Sequence, residues 1–509
     1  MVSRIFSLGY FGLEVYPVEI EVDIQRGLPA ISLIGLLDTA LRESKDRVRS
    51  GIKNSALEFP SSKITINLAP ANIKKEGTHF DLAIALGIIS SSHQANLNVS
   101  SYFILGELSL EGELRPVKGV FPMALYARNA NKKLILPSEN VHEAALVSGL
   151  EIYPVKSLTE AVSFLSGLID IKPFRENIKD VLDCEPQYDL DFSEVKGQPF
   201  ARRGLEVAVC GMHNILLVGP PGVGKTMLTR RLPTILPDMD FEEILEVTRI
   251  YSVAGLLDKS KPLIKERPFR SPHHTASDIA LVGGGTNIKP GEITLSHKGV
   301  LFLDELPEFS RAALEALRQP LEDGFISISR AAKHLKFPSR FLFAGAMNPC
   351  PCGYFGSKEK SCHCTSHQIQ KYRNKISGPL LDRIDMHIEL AAIKTEDLIS
   401  PDSKSESSKC IKERVERARI IQRERFKNEK ILFNSQMNQK QMHKYCLLAK
   451  EAEDLLCAAI KHFSFSARAY GKILKVSRTI ADLSAREDIS AEDISEAIHY
   501  RSLDKNLWV

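Results

Sequence analysis

A glycine-rich run has the residue types and the spacing of a phosphate-binding loop. It fits the pattern G-x-x-x-x-G-K-[ST] at every position and consists of Gly219, Pro220, Pro221, Gly222, Val223, Gly224, Lys225 and Thr226. The glycines allow a tight backbone turn whose N–H groups face phosphate oxygens. Lys225 would supply positive charge to the β- and γ-phosphates, and the Thr226 hydroxyl would ligate Mg²⁺. The run therefore predicts a site for a nucleoside triphosphate such as ATP.

Two adjacent carboxylates follow the loop at the end of a second apolar run. Residues 300–303 are Val-Leu-Phe-Leu, and Asp304 and Glu305 come directly after them. A buried strand ending in an acidic pair would place Asp304 to hold Mg²⁺ through water. Glu305 would then orient or deprotonate the water that attacks the terminal phosphate. The pair predicts that the bound nucleotide is hydrolysed.

Asn348 ends a third apolar segment, RFLFAGAMN, which starts at Arg340. An amide at this point could contact the γ-phosphate or the attacking water, or it could simply cap a turn. Four cysteines crowd into the next sixteen residues, at Cys350, Cys352, Cys362 and Cys364. Four thiolates suit a tetrahedral zinc site that pins a loop, although the C-x-C spacing is tighter than the usual C-x₂-C. Free or redox-active thiols and a disulfide are the alternatives.

The elements that must position these residues change character along the chain. Residues 1–170 alternate short strands with helices and predict an α/β domain. A less hydrophobic connector spans residues 171–195. The next part, residues 196–395, contains the phosphate loop. The loop lies between a buried strand predicted at 215–218 and a helix that begins at Lys225. Residues 396–509 are predicted to be a helical lid, because helical patterns follow a serine-rich linker.

Two insertions separate the motifs of the nucleotide-binding part. The first spans residues 267–290, which a compact core does not need. Its adjacent histidines at 273 and 274 cannot easily converge on one metal ion, so we interpret them as polar residues of this inserted segment. The second is a hairpin, GFISISRAAKHLKFPSRF, with Arg330, Lys333 and His334 at its tip. A basic tip could track a nucleic-acid backbone, or it could be a solvated turn.

Composition limits the function classes. The 509 residues are 43% hydrophobic and 26% charged with a net charge of +4, which is typical of a soluble globular protein. Nucleic-acid binding would therefore rely on local basic patches. No apolar run approaches the ~20 residues of a membrane span, so no membrane association is expected. Nine cysteines without an export signal favour a reducing cytoplasm.

The N-terminal part resembles the ribosomal-S5-like fold of Lon-type proteases, most clearly in GELSLEGELRPVKGV. The resemblance does not extend to the proteolytic residues. His79 stands where the family has its serine, and no lysine occurs directly after Gly119. An accessory or substrate-engaging domain is therefore expected rather than a protease.

The motifs from residue 196 onward resemble AAA+ ATPases, with Asn348 at the position called sensor 1. This resemblance implies that Arg383, in SGPLLDRIDMHIEL, reaches the nucleotide of a neighbouring subunit. An ordinary ion pair with Asp382 or Asp385 is the alternative. It also implies that Arg468, in the first turn of a lid helix, is the sensor 2 arginine over the nucleotide, with Arg478 as a weaker candidate.

Nearly the whole chain resembles the YifB/ComM family of magnesium-chelatase-like AAA+ ATPases. The supporting segments, in order, are GPPGVGKT, RPFRSPHHTAS, GVLFLDELPEF, AMNPCPCGYFG, ISGPLLDRID and SARAYGKILKVSRTIADL. The resemblance implies a homo-oligomeric, hexameric ring and an ATPase that acts on single-stranded or branched DNA. It also implies helicase or branch-migration activity in recombination or natural transformation. A metal-insertion motor subunit and a protein-remodelling chaperone are the alternatives.

Overall fold

The computed structural model describes residues 2–176, 186–258, 261–285, 288–330, 333–356, 360–391, 405–463, 465–501 and 503, with the backbone alone at 329–330 and 333–334. The chain forms two compact units. The first comprises Met1–Glu185, Phe241–Ile264 and Gly285–Pro290. The second comprises Pro186–Asp240, Lys265–Gly284 and Gly291–Val509.

Among the residues that the structure describes, the N-terminal part of the first unit contains nine strands and six α-helices. The strands are β1 (Ser3–Phe11), β2 (Glu14–Gln25), β3 (Ala30–Ile34), β4 (Lys63–Ala69), β5 (Tyr102–Ile104), β6 (Glu107–Leu108), β7 (Leu114–Arg115), β8 (Lys133–Pro137) and β9 (Ile152–Val155). They form sheets of order β1-β2-β4-β3, β5-β8-β9 and β6-β7. The helices are Thr39–Arg42, Ser44–Asn54, Asp81–Ser91, Val120–Asn129, Val141–Ala145 and Leu158–Leu165.

Alternating side chains build the core of this unit. Val18, Ile20 and Val22 of β2 are fully buried, and the polar residues between them face outward. The helix Asp81–Ser91 is buried on nearly every side, as its apolar sequence predicts. The mixed α/β architecture expected for this part of the chain is therefore confirmed.

A helix from beyond the phosphate loop, Phe241–Ala254, also belongs to the first unit. Its Ser252 hydroxyl donates a hydrogen bond to Glu143 Oε1 at 2.6 Å, and its Ser252 carbonyl accepts one from the Gly119 amide at 3.2 Å. The chain thus leaves the second unit after Asp240 and re-enters it at Lys265.

His79, which stands at the position of the protease serine, is a packed side chain. It is 4% exposed, and its ring centroid lies 4.0 Å from that of Phe80 and 6.0 Å from that of Tyr10. Burial lowers the pKa of His79 to about 4, so the imidazole is neutral near pH 7. Its surroundings are those of a core residue.

In the described stretches of the remaining part of the chain there are nine further strands. They are β10 (Ile215–Val218), β11 (Phe269–Arg270), β12 (Gly283–Gly284), β13 (Lys289–Pro290), β14 (Val300–Leu303), β15 (Phe325–Arg330), β16 (Lys333–Pro338), β17 (Leu342–Met347) and β18 (Met386–Glu389). Five of them form a parallel sheet of order β11-β14-β17-β10-β18, which we call the core sheet.

The helices of this part, besides Phe241–Ala254, complete the second unit. They are Pro199–Gly211, Lys225–Arg230, Leu232–Ile235, Asp278–Val282, Glu292–Leu295, Arg311–Ala316, Arg318–Asp323, Ser366–Arg373, Gly378–Leu381, Ser408–Arg425, Gln439–Tyr445, Lys450–Phe463, Ala467–Leu483 and Ala491–His499. The predicted parallel-sheet core and helical C-terminal region are both confirmed.

The core sheet is buried on both faces, which explains why its strands are continuous apolar runs. Ile215 and Leu217 pack into one hydrophobic cluster together with C-terminal helices, whereas Leu216 and Val218 pack into a second cluster. The sequence prediction treated residues 267–290 as outside the core. Phe269–Arg270 instead forms the edge strand β11, because two residues are too few to produce a recognisable pattern.

The C-terminal helices have the predicted caps. The Ser466 hydroxyl accepts a hydrogen bond from the Ala469 amide at 3.2 Å, and Ser490 and Asp493 form a capping box. Arg478 is 1% exposed and its Nε donates to Asp482 Oδ1 at 3.1 Å. Its remaining guanidinium nitrogens donate to backbone carbonyls of the same helical region. Arg478 therefore stabilises the interior of the helical region.

Candidate active site

The phosphate loop begins where β10 ends. Gly222 and Gly224 have φ angles of 83° and 89°, a left-handed backbone that glycine adopts without steric cost. A Cβ atom on Gly219 would lie 2.7 Å from the Leu390 carbonyl oxygen, so a larger residue does not fit there. Lys225 then opens the helix Lys225–Arg230. The loop has the tight backbone that the sequence predicts for a phosphate cradle.

The Lys225 ammonium is held by three acceptors. Its Nζ donates to the carbonyl oxygens of Gly219 (2.6 Å) and Pro220 (2.9 Å) and to Asn348 Oδ1 (2.9 Å). Burial lowers the pKa of Lys225 to about 8, although the carboxylates of Asp304 and Glu305 act in the opposite direction. The structure thus brings the predicted phosphate-binding cation and the predicted sensor amide into direct contact.

Thr226 and Asp304 form the pair expected to hold a magnesium ion. The Thr226 hydroxyl donates to Asp304 Oδ2 at 2.6 Å, and the Glu305 amide donates to Asp304 Oδ1 at 2.9 Å. A hydroxyl and a carboxylate offer the hard oxygen ligands that Mg²⁺ takes. Their contact at the mouth of the phosphate loop fits a magnesium ion that also binds the phosphates.

Glu305 lies beside a histidine that the sequence prediction had assigned to an insertion. The Glu305 backbone is left-handed, with φ of 51°, and its side chain is 54% exposed. His274 Nδ1 lies 3.1 Å from Glu305 Oε2. No local sequence pattern indicates this contact, because His274 follows a two-residue strand that is too short to be recognised.

The cysteine cluster follows Asn348 and reaches the phosphate loop. The four sulfur atoms lie within 4.8 Å of one another, and three Sγ–Sγ pairs are 3.3–3.6 Å apart. These distances exceed a disulfide bond of ~2.05 Å, and all four cysteines are free. A Cβ atom on Gly353 would lie 2.6 Å from Pro221 Cδ. The loop that carries the cysteines therefore packs directly on the phosphate loop.

Arg383 and Arg468 lie together at the opposite edge of the core sheet. Arg383 Nη1 donates to the Pro379 carbonyl at 2.7 Å, and its other terminal nitrogen pairs with Glu322. Arg468 pairs with Asp382 and is 71% exposed at its side chain. Both arginines line one cavity of about 690 Å³.

The position of this cavity follows from the direction of β10. The cavity is also lined by Asn214, which precedes β10 and whose carbonyl accepts a hydrogen bond from the Asp385 amide at 2.8 Å. The phosphate loop follows β10 at its other end, about 13 Å away for a four-residue strand. Arg468 was expected to lie over the nucleotide. The structure places it at the edge away from the phosphate loop of its own chain, because the helix that carries it packs beside Asp382.

The three residues expected to contact DNA belong to the predicted hairpin. The strands β15 and β16 pair antiparallel, with Arg330 opposite Lys333 and Ser329 opposite His334. The side chains of Arg330, Lys333 and His334 lie outside the described residues, as do Ala331 and Ala332.

Three magnesium-chelatase family profiles match the chain. "Magnesium chelatase, subunit ChlI" matches residues 191–398, "Subunit ChlI of Mg-chelatase" residues 20–140, and "Magnesium chelatase, subunit ChlI C-terminal" residues 405–501. The chain is 41% identical to the protein YifB of Salmonella typhimurium over 498 residues, 97% of this chain and 96% of the relative. It is 41% identical to the competence protein ComM of Haemophilus influenzae over 504 residues, 98% of this chain and 97% of the relative.

The chain belongs to the YifB/ComM family of magnesium-chelatase-like proteins. It is an AAA+ ATPase by this membership, and ATP with Mg²⁺ fits the site described above. A shorter match, 27% identity over 151 residues (28% of this chain and 26% of the relative), is to Lon protease 2 of Bacillus subtilis. Within the described residues, no helix combines the length and the apolar character that crossing a bilayer requires.

Proposed function

We propose that this YifB/ComM-family ATPase is a ring-forming, hexameric motor that acts on DNA as a helicase or branch-migration enzyme. The ring is proposed because the residues expected to act in ATP hydrolysis lie in two separate places on each chain. Lys225, Asp304 and Glu305 lie at one edge of the core sheet, and Arg383 and Arg468 lie at the other. A ring in which each subunit presents its arginine edge to the next subunit's phosphate loop would complete every site.

We assign the roles in ATP hydrolysis as follows. The amides of residues 219–226 and the Lys225 ammonium bind the phosphates, and Thr226 and Asp304 hold Mg²⁺, which neutralises developing charge. Glu305 orients the attacking water or takes its proton, and Asn348 fixes the γ-phosphate or that water. Arg383, with Arg468 beside it, stabilises charge on the phosphate transferred in the adjacent subunit.

The DNA part of the proposal rests on two supports. One is the hairpin β15–β16, whose turn is flanked by Arg330, Lys333 and His334. Cations at such a turn suit a phosphate backbone. The other is the near-full-length similarity to a relative named competence protein. We propose a cytoplasmic protein that promotes the integration of single-stranded or branched DNA during recombination or natural transformation.

A purified-protein assay tests this function. ATPase rate and strand displacement would be measured with single-stranded DNA, branched DNA and no DNA. We expect stimulation by DNA, and we expect Arg330→Ala with Lys333→Ala to remove it. Arg423→Ala with Lys427→Ala is the charge-matched control, because both residues are exposed on the helical region. An ATPase that neither binds DNA nor responds to it would overturn the DNA proposal.

The magnesium-chelatase profiles support a second candidate, a motor subunit for metal insertion. A four-cysteine loop is not expected in such a subunit, whereas the N-terminal region does match a profile of that name, at residues 20–140. A protein-remodelling chaperone is a further alternative, in which the N-terminal domain grips protein. Stimulation of the ATPase by an unfolded protein substrate, without stimulation by DNA, would favour the chaperone.

We further propose that Cys350, Cys352, Cys362 and Cys364 hold a structural zinc ion. Tetrahedral coordination with Zn–S bonds of ~2.3 Å separates sulfurs by about 3.8 Å, close to the 3.3–3.6 Å separations found here. The Tyr354 amide, which donates to Cys352, lowers the pKa of that thiol, whereas the pKa values of the neighbouring Cys362 and Cys364 thiols are raised, so metal binding would have to displace protons from those two. Because Gly353 packs on Pro221, the ion would stiffen the phosphate loop.

Metal content tests the zinc site directly. We expect about one zinc ion per chain in protein purified without chelators, and its loss in Cys362→Ser. Cys457→Ser is the control, since Cys457 is exposed and remote in sequence from the cluster. Protein that is fully active and carries no zinc would contradict the assignment. A disulfide in place of the metal would appear as a loss of titratable thiols.

A further inference from the structure

The segment that follows β11 reaches the hydrolytic end of the core sheet. Phe269 and Arg270 pair in parallel with Val300 and Leu301 of β14, so both strands end at the same edge. Asp304 and Glu305 follow β14 at that edge. His274, four residues after β11, therefore emerges next to the acidic pair although it is thirty residues away along the chain.

His274 is held in place by contacts on both sides. Its ring centroid lies 4.1 Å from that of His273 and 6.5 Å from that of Phe309, the latter at an interplanar angle of 80°. Downstream, the Ser310 hydroxyl donates to Asp278 Oδ1 at 2.9 Å. The histidine segment is thus tied to the residues that follow Glu305.

The Glu305 carboxylate needs an external group to fix its direction. Its side chain is 54% exposed, so packing does not select one rotamer, and its backbone is left-handed. His274 Nδ1 lies 3.1 Å from Glu305 Oε2. When the His274 ring carries its proton on Nδ1, that N–H can donate a hydrogen bond to Glu305 Oε2. The second carboxylate oxygen of Glu305 then stays available to the attacking water.

We propose that His274 is a positioning residue that orients Glu305 toward the attacking water. This inference rests on the proposed role of Glu305 in ATP hydrolysis. A misoriented base loses part of its contribution to the rate, whereas the phosphate cradle is untouched. His274 acts through Glu305 and does not itself contact the nucleotide phosphates.

The DNA-free ATPase rate and nucleotide affinity of substituted full-length protein test the proposal. We expect His274→Ala to lower kcat about tenfold or more, with the affinity for a fluorescent ATP analogue unchanged. His443→Ala is the matched control and should keep the wild-type rate, since His443 is exposed on the helix Gln439–Tyr445 and is remote in sequence from the histidine segment described above.

Conservative substitutions separate a donor role from a packing role. The Asn side-chain amide places a nitrogen near the position of Nδ1, whereas Gln places one near Nε2. We expect His274→Asn to recover most of the rate and His274→Gln to recover little. Equal rescue by both, or wild-type kcat in His274→Ala, would overturn the proposal.

The Glu305→Gln variant distinguishes failure of the positioning role of His274 from failure of the proposed catalytic role of Glu305. If Glu305→Gln hydrolyses ATP at the wild-type rate, the role of Glu305 itself is wrong. If Glu305→Gln is inactive while His274→Ala is fully active, only the positioning role is lost. In the Glu305→Gln background we expect His274→Ala to cause no further loss, because the two residues act as one unit.

Discussion

The two edges of the core sheet carry the two groups of residues that the proposed ring would bring together. At the carboxyl edge, Lys225 is bonded to Asn348, and Thr226 is bonded to Asp304. At the amino edge, Arg383 and Arg468 each pair with a carboxylate of their own chain. One edge can bind a nucleotide with its magnesium ion, and the other has the cations that phosphoryl transfer requires.

In the proposed ring, the difference between the edges would make each chain an incomplete catalyst by itself. Parallel strands bring all their carboxyl ends to one edge, so residues that follow β10, β14 and β17 meet there. Residues that precede β10 and β18 are kept a strand length away. Arg468 pairs with Asp382 at an exposed position. An exposed ion pair contributes only ~0–1 kcal/mol to the stability of the protein. A phosphate can therefore replace the Asp382 carboxylate as the partner of Arg468.

Lys225→Ala should have the largest effect, because it removes the cation of the carboxyl edge. We expect ATP affinity to fall about 100-fold and hydrolysis to be lost. Titration with a fluorescent ATP analogue measures the affinity. Arg230→Ala, an exposed change in the same helix, serves as the control. If the Lys225→Ala enzyme still hydrolysed ATP, the assignment of the nucleotide site to the carboxyl edge of the core sheet would be wrong.

Glu305→Gln should separate binding from chemistry within the carboxyl edge. The amide keeps the size of the side chain but cannot take a proton from water, so we expect hydrolysis to fall about 10²–10⁴-fold. Affinity for ATP should stay near the wild-type value. Single-turnover hydrolysis with bound ATP checks this, and unchanged turnover would show that another residue is the base.

Arg383→Ala should impair hydrolysis from the other edge of the sheet. We expect a loss of about 10²–10³-fold in kcat with ATP binding retained, because the guanidinium stabilises charge that develops only during transfer. Arg383→Lys is informative beside it, since lysine keeps the charge but loses the planar fork. A change in ATP affinity that equals the change in kcat would place Arg383 in ground-state binding instead.

Arg468→Ala should have the smallest effect of the four. Arg468 lies beside Arg383 but is far more exposed, so we expect a decrease in kcat of about tenfold, or ~1.4 kcal/mol. If Arg468 instead acted on its own chain's nucleotide, the substitution would weaken ATP binding in the isolated subunit. Equilibrium binding to a dilute monomer distinguishes the two arrangements.

Much of the carboxyl edge could be predicted from the sequence because its signals are local. The apolar runs 215–218 and 300–303 became strands with those bounds, and the motifs follow directly on them. The caps at Ser466 and Ser490 were predictable for the same reason. Each of these features depends on residues a few positions apart.

The features that could not be predicted depend on packing between segments that are distant in the sequence. The sequence clearly predicts Arg468 in the first turn of a helix. Contacts between that helix and residues near 382–385 decide which edge of the sheet the helix approaches. His274 meets Glu305 only because the two-residue strand β11 joins the sheet. The return of Phe241–Ile264 to the first unit likewise has no signature within the segment itself.

Mixing two inactive variants tests the composite site most directly. Lys225→Ala subunits retain the arginine edge, and Arg383→Ala subunits retain the phosphate loop. Each variant alone should be inactive, whereas random 1:1 mixing should restore about one quarter of the wild-type ATPase rate, the share of interfaces with both halves intact. A mixture as inactive as its components, or an Arg383→Ala protein that is active alone, would contradict a site shared between subunits.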